Sequence, residues 1–328
     1  MPEAERFDIR TVPLDAAWET FVDSAAGSHT FARSDWLRCV HRVWPEDLIV
    51  RGAYLKDTLV AAVVGLQTTR PLLRRLATPP LLPHAGFLFR KPVSEQLPRQ
   101  EAERNSTWQA LLADLSDYHH LYLSCGSGIT DVREPVWAGW QAHPRYTYQI
   151  DLPADRQQVW DGFERRMRTV IRKAEGTGFH VEPTTDHSTF SDLYRKTYPD
   201  TPPPVETVQT QRFIEAGLEA GLIEGHSVLS PTGDVAATVY FALDDKAETP
   251  QLSAWVAGAD PAFRDAGASA LLYWKVLETT TAARFDFVGA NMASIALFKR
   301  GFGGRLVSYY ALEKWNSGWR RLAAALRG

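Results

Sequence analysis

Residues 297–304 read LFKRGFGG, between GANMASIA at 289–296 and RLVSYY at 305–310. The reading of this stretch decides the fold. NMASIALFKR at 291–300 has the length of a short helix, and glycines that follow a helix stop it. VSYYALEKW then alternates as a strand does. Lys299, in the last helical turn, is either a solvated charge favoured by the helix C-terminus or a placed cation. Working backwards, FDFVGA reads as a strand, 264–282 as a helix and LSAWVAG as another strand. Strands alternating with helices predict a mixed α/β sheet with helices on its faces.

The chain has 328 residues, which suits two domains of about 150 residues rather than one core. Apolar residues make up 45% and charged residues 23%, an ordinary globular balance. A net charge of −3 gives no global reason for nucleic acid or an anionic membrane as partner, although a local basic patch would suffice. The two cysteines, Cys39 and Cys125, form no CxxC and stand in no Cys/His cluster, so neither a disulfide framework nor a metal site is expected. No apolar run is long enough to span a membrane. MPEAERFDIR carries no signal-peptide core, and a reducing, cytoplasmic setting is the expectation.

A faint repeat organises the chain. GAYLKDTLVAAVVGL at 52–66 parallels GHSVLSPTGDVAATVYF at 225–241: glycine, strand, turn, then a strand with Val-Ala-Ala. Upstream, AAWETFVD with Trp18 and Phe21 parallels QQVWDGFE with Trp160 and Phe163. Two helix-then-hairpin units are expected, at 1–145 and 146–328. In the first, helices are predicted at 16–24, 35–43 and 101–115, with strands at 48–55, 59–67 and around LYLSCG. In the second, one helix is predicted over 156–175, others at 186–198 and 207–220, and a hairpin over 225–243.

Several residues could carry chemistry. Arg264-x-x-Gly267-x-Ser269 falls between a strand and a helix. A glycine there lets backbone N–H groups approach a phosphate, and the helix dipole favours an anion. On the helix over 156–175, a wheel of 100° per residue puts Trp160, Phe163, Met167, Val170, Ile171 and Ala174 on one face. Arg165, Arg168 and Arg172 fall opposite, flanked by Arg166 and Lys173. That stripe is either a solvated face or a grip on phosphates of a donor or acceptor. Asp286 is either a base or a buried, hydrogen-bonded carboxylate. Tyr194, Tyr198, Tyr240 and Trp255 line an acceptor groove or pack in the core. His84, His119 and His120 show no spacing for a metal or a triad, and no G-x-S-x-G for a serine hydrolase occurs.

The ordered series strand, RxxGxS, helix, strand, Asn291, helix, Gly301-Phe302 resembles the core of the GNAT acyltransferase superfamily. FK-x-GFGG is more specific. With SDWLRCV, TPPLLPHAGFL and RRMRTVIRKAEGTGFHV it resembles the Fem family, tandem GNAT-like proteins that build peptidoglycan cross-bridges from aminoacyl-tRNA. The resemblance covers nearly the whole chain. It departs at Phe298, where many GNAT enzymes place a tyrosine acid, and at Val40, where some cross-bridge enzymes carry a basic residue. No coiled-coil arm is present.

The resemblance implies two tandem GNAT-like domains, the first without a donor site. It implies N-acyl transfer from aminoacyl-tRNA or acyl-coenzyme A to an amine, either a small molecule or a cell-wall precursor, with no tightly bound cofactor. Arg264, Gly267, Ser269 and Asn291 would hold the donor. Lys299 would steady the oxyanion, and Phe298 would shape the channel beside it. Such a cation contributes on the order of 3 kcal/mol to a developing oxyanion. Alternatives are a non-catalytic GNAT-fold binding module and an acetyl-coenzyme A-dependent N-acetyltransferase of small molecules.

Overall fold

The computed structural model describes residues 7–45, 47–71, 73–197, 203 and 205–316. The chain divides into two compact units, 1–145 with 308–328, and 146–307. The expected second unit ran to 328. Instead, Ala311–Trp315 pairs antiparallel with Ser124–His120 and so joins the first unit.

The first unit contains β1 (Asp8–Thr11), α1 (Ala16–Ser24), β2 (Ala25–Ala26), α2 (Ser34–Val43), β3 (Leu48–Leu55), β4 (Thr58–Arg70), β5 (Leu73–Ala77), β6 (Gly86–Arg90), α3 (Leu97–Asp114), β7 (His120–Ser124) and α4 (Arg133–Trp137). Strand β8 (Gln141–Asp151) carries the chain into the second unit. Asp15 caps α1 by accepting from the N–H groups of Ala17 and Trp18. The period-2 alternation of β7 buries Leu121 and Leu123 beneath Trp108 and Leu111 of α3. The repeat segment at 52–66 forms the β3–β4 hairpin, with Gly52 opposite Ala62.

The second unit continues with α5 (Arg156–Gly162), α6 (Arg165–Gly176), β9 (His180–Pro183), α7 (His187–Thr197), α8 (Thr207–Glu219), β10 (Ile223–Leu229), β11 (Val235–Asp244), β12 (Gln251–Ala259), α9 (Ala268–Thr279), β13 (Arg284–Asp286) and α10 (Ala293–Arg300), after which β14 (Arg305–Trp315) carries the chain back into the first unit. Its sheet runs β8-β13-β12-β11-β10-β9, antiparallel except for the β12–β13 pair. Helix α9 is apolar on nearly every side and buries Leu271, Leu272, Tyr273 and Val276 in the core of this unit.

The helix expected over 156–175 is broken. Phe163 and Glu164 have extended ψ angles of 145° and 143°. The Glu164 N–H donates to the carbonyl of Gly301 at 2.9 Å. The glycine turn is what permits this. A Cβ on Gly303, whose φ is +71°, would collide with the Gly162 carbonyl, and one on Gly301 would lie 2.6 Å from Met167 Cε. The glycines of GFGG let that turn press onto the break between α5 and α6.

Candidate acyl-donor site

The site begins with a parting of two strands. β12 and β13 pair only at Gln251–Ser253 with Arg284–Asp286, yet β12 runs on to Ala259. Beyond Asp286 the chain turns toward β8: Phe287 N donates to Tyr148 O at 3.0 Å, and Ala290 N to Tyr146 O at 2.6 Å. Val288 and Gly289 adopt left-handed φ angles of 50° and 77°. The carbonyls of 287–289 therefore leave the β12–β13 ladder, and buried carbonyls need donors.

Lys299 supplies them. Its Nζ donates to the carbonyls of Phe287, Val288 and Gly289 at 2.6, 2.8 and 2.6 Å. The residue is 9% exposed. Burial pulls its ammonium down to about 8, while Asp286 acts the other way. The resemblance implied that Lys299 steadies an oxyanion; in this structure its ammonium reaches the carbonyls of one loop. An ammonium has three protons, and all three are committed to one loop. Lys299 is thus a cation placed to hold the wall of the gap.

Asp286 also has a holding role. One carboxylate oxygen accepts from Thr147 Oγ1 at 2.6 Å and Val288 N at 2.8 Å, the other from Gln149 Nε2 at 2.8 Å. A carboxylate so occupied fixes the start of the loop and is not arranged as a base. Asn291 Oδ1 accepts from Tyr146 N at 2.9 Å, tying the loop's end to β8.

Two cavities meet above α9. One, of about 550 Å³, is lined by Arg166, Arg264, Gly267, Ser269, Leu297 and Phe298 among others. The other, of about 460 Å³, shares Arg264, Ser269, Ser294 and Phe298, and adds Ile295, Phe263 and the Lys196–Asp260 ion pair. Both are within the range of small-ligand sites. Gly267 has φ +80° and no side chain caps the helix it begins. A Cβ there would stand 2.5 Å from Val170 Cγ1 and 2.8 Å from the Val170 carbonyl, so only glycine lets α6 lie against this end of α9. The first-turn N–H groups of an uncapped helix attract an anion. Arg166 and Arg264 carry no hydrogen bond or ion pair among the described residues and face the first cavity. Arg300, at its rim, pairs with Glu164 at 3.1 Å.

The arginine stripe of the sequence divides. Arg168 donates to the carbonyls of Trp160 and Asp161 at 3.4 and 2.8 Å, capping α5. Arg172 lies 5.2 Å from the Trp160 ring centre. Arg165 is exposed and lines neither cavity. The break at Phe163–Glu164 resets the helical phase, so Arg166, assigned only a flanking place by an unbroken wheel, reaches the cavity. Ser294 and Arg300 were also missed; their only signal was nearness to Phe298.

The aromatic groove is not formed. Tyr194 stacks on Phe190, Tyr240 lies edge-on to Phe190, and Trp255 meets Phe213 edge-on at 5.2 Å. All three are buried core residues. Tyr198 lies outside the described residues. Phe298 does border both cavities, with its ring 5.7 Å from Tyr273 and 5.4 Å from Phe302.

No protein-family model and no curated protein matches this sequence. Solved structures do match in fold. FemX superposes with a TM-score of 0.63 at 12% identity, over 92% of this chain and 96% of its own. A tandem GNAT protein from the clavulanic acid biosynthesis pathway gives 0.53 at 10%, over 94% and 98%. L-PGS from Bacillus licheniformis gives 0.50 at 13%, over 93% and 92%. The chain has a GNAT fold. The likeness to FemX is one of fold, and it agrees with the fold that the FK-x-GFGG segment implied. Among the described residues, no helix is long and apolar enough to cross a membrane.

Proposed function

We propose that the chain is an N-acyltransferase whose donor rests its phosphates at the start of α9. The observation that carries this reading is the meeting of two cavities at an uncapped helix N-terminus beside Arg166 and Arg264, which carry no hydrogen bond or ion pair among the described residues. β12 ends at Ala259 on the second cavity after parting from β13, and the acyl group is assigned to the gap between them. An acceptor amine attacks the donor carbonyl carbon. The C–N bond forms, the carbonyl-to-leaving-group bond breaks, and the leaving sulfur or oxygen takes up the proton lost by the amine. Ser269 and the first N–H groups of α9 position the donor, and Phe298 forms the wall between the two cavities.

Acyl-coenzyme A fits better than aminoacyl-tRNA. A polynucleotide is held through many phosphates, each needing a cation. Here Arg168 and Arg172 are spent within the unit, and Lys275 pairs with Glu175 and Glu278. Two guanidinium groups and one helix end suit a diphosphate. The acceptor is an amine; a cell-wall precursor and a small molecule remain the two chemical settings of this proposal.

Calorimetric titration with acetyl-coenzyme A and with charged tRNA tests the reading. Binding of acetyl-coenzyme A, weakened at least tenfold in Arg264→Ala, is the expected result. Binding of charged tRNA alone would transfer the donor role to an aminoacyl ester. Binding of neither would overturn the proposal.

A further inference from the structure

The first unit holds a second concentration of titratable groups. His120 and Tyr122 of β7 stand on the sheet face opposite Leu121 and Leu123, which are buried under α3. Register brings Arg75 of β5 beside His120, and Glu313 and Trp315 of β14 beside Tyr122 and His120. Three strands, β5, β7 and β14, thus place these polar residues on one side of one sheet.

Glu313 is the hub. His120 Nε2 lies 3.0 Å from one of its oxygens and His143 Nε2 2.9 Å from the other, and Trp315 Nε1 donates to it at 3.0 Å. These donors hold its carboxyl below the usual carboxylate range against the opposing effect of burial. An ionised carboxylate only accepts, so His143 donates from Nε2, and the neutral ring then presents Nδ1 as an acceptor. The His143 side chain is 39% exposed, so that nitrogen is reachable. Among the described residues, Glu313 forms no ion pair with Arg75 or Arg145. Arg75 lies within electrostatic reach of Glu313 and Tyr122 and has no ion pair or hydrogen bond among the described residues. Arg145 spends one nitrogen on Tyr122 Oη at 2.7 Å.

We propose that this face of the first unit is an anion site for a small phosphorylated ligand that also bears a hydroxyl. Arg75 and Arg145 supply forked donors suited to phosphate, and the oriented His143 accepts from the hydroxyl. Glu313 is a positioning residue that fixes the imidazole tautomer.

Isothermal titration of the full chain with inorganic phosphate, glycerol 3-phosphate and malonate at pH 7.5 tests this, in the wild type and in Arg75→Ala, Arg145→Ala, His143→Phe and Arg264→Ala. One glycerol 3-phosphate is expected to bind per chain. Affinity should fall at least fivefold in each of the three first-unit variants and stay unchanged in Arg264→Ala. His143→Phe should weaken glycerol 3-phosphate more than inorganic phosphate, which a purely structural role of the ring would not produce. Malonate binding as tightly as glycerol 3-phosphate would replace phosphate by carboxylate and contradict the ligand class. Absence of binding, or binding that survives both arginine substitutions in variants with native circular dichroism, would overturn the site.

Discussion

Lys299 Nζ stands 2.6 Å from the carbonyl oxygen of Gly289, and the same ammonium reaches the carbonyls of Phe287 and Val288. One side chain on α10 therefore holds the strand that leaves β12 at the gap. Lys299→Met would strand three carbonyls without donors, and a loss of about 3 kcal/mol is expected from unsatisfied buried acceptors. Urea denaturation measures it; an unchanged midpoint would deny the clamp.

The same contact has a pH limit. Below about 8 the group is an ammonium with three donors; above it the amine has two for three carbonyls. Affinity for acetyl-coenzyme A in the wild type should thus be lower at pH 9 than at pH 7. In Lys299→Arg, whose guanidinium stays charged throughout, that difference should disappear. A decline of equal size in both proteins would place its cause elsewhere.

Gly267→Ala combines a left-handed φ with a contact against Val170. A destabilisation of about 2 kcal/mol or more is expected from strain and overpacking together. Thermal unfolding reads this directly, and a neutral substitution would mean that α6 moves freely off α9.

Arginine substitutions should separate two roles. Arg166→Ala should weaken the acyl donor at least fivefold and leave stability within about 0.5 kcal/mol, as usual for an exposed side chain. Arg168→Ala should do the reverse, because its bonds cap α5. Calorimetry and denaturation of the same preparations check both. A donor defect in Arg168→Ala equal to that of Arg166→Ala would restore the undivided stripe.

The sequence was informative where local rules acted alone. Helices at 16–24 and 207–220, the two hairpins and the glycine stop after Lys299 follow from capping, alternation and turn chemistry. Gly267 and Phe298 were found from their context. The parting of β12 from β13 was not legible, because FDFVGA has the composition of a continuous strand. Only the tertiary pull of β8 and the Lys299 contacts end it at Asp286. The carbonyl contacts of Lys299 were not legible for the same reason: a sequence marks a cation as unusual but not where its protons go. The break at Phe163–Glu164 depends on the Gly301 carbonyl, more than 130 residues away, which no helical wheel contains. His120 lacked a local partner spacing because its partners are Glu313 and Trp315.

A separate pH effect is expected in the first unit. Both ring nitrogens of His29 are shielded from solvent, and the His84 ring lies 5.4 Å away. Burial, then His84, holds it well below its ordinary value, so it stays neutral in the fold. The unfolded chain binds the proton first. Stability from this group is present above pH 6.5 and is lost as pH falls below it, by up to about 1.4 kcal/mol per pH unit. Urea denaturation at pH 7.5 and 5.5 should show this, with a smaller difference in His29→Phe; equal differences would remove His29 as the source.

The most direct measurement is a crystal structure with bound acetyl-coenzyme A. Its phosphates are expected within hydrogen-bond distance of the backbone N–H groups at 268–269 and of Arg264, with the acetyl group in the gap between β12 and residues 287–290. Phosphates seated away from the α9 N-terminus, with Arg166 and Arg264 untouched, would contradict the proposed site.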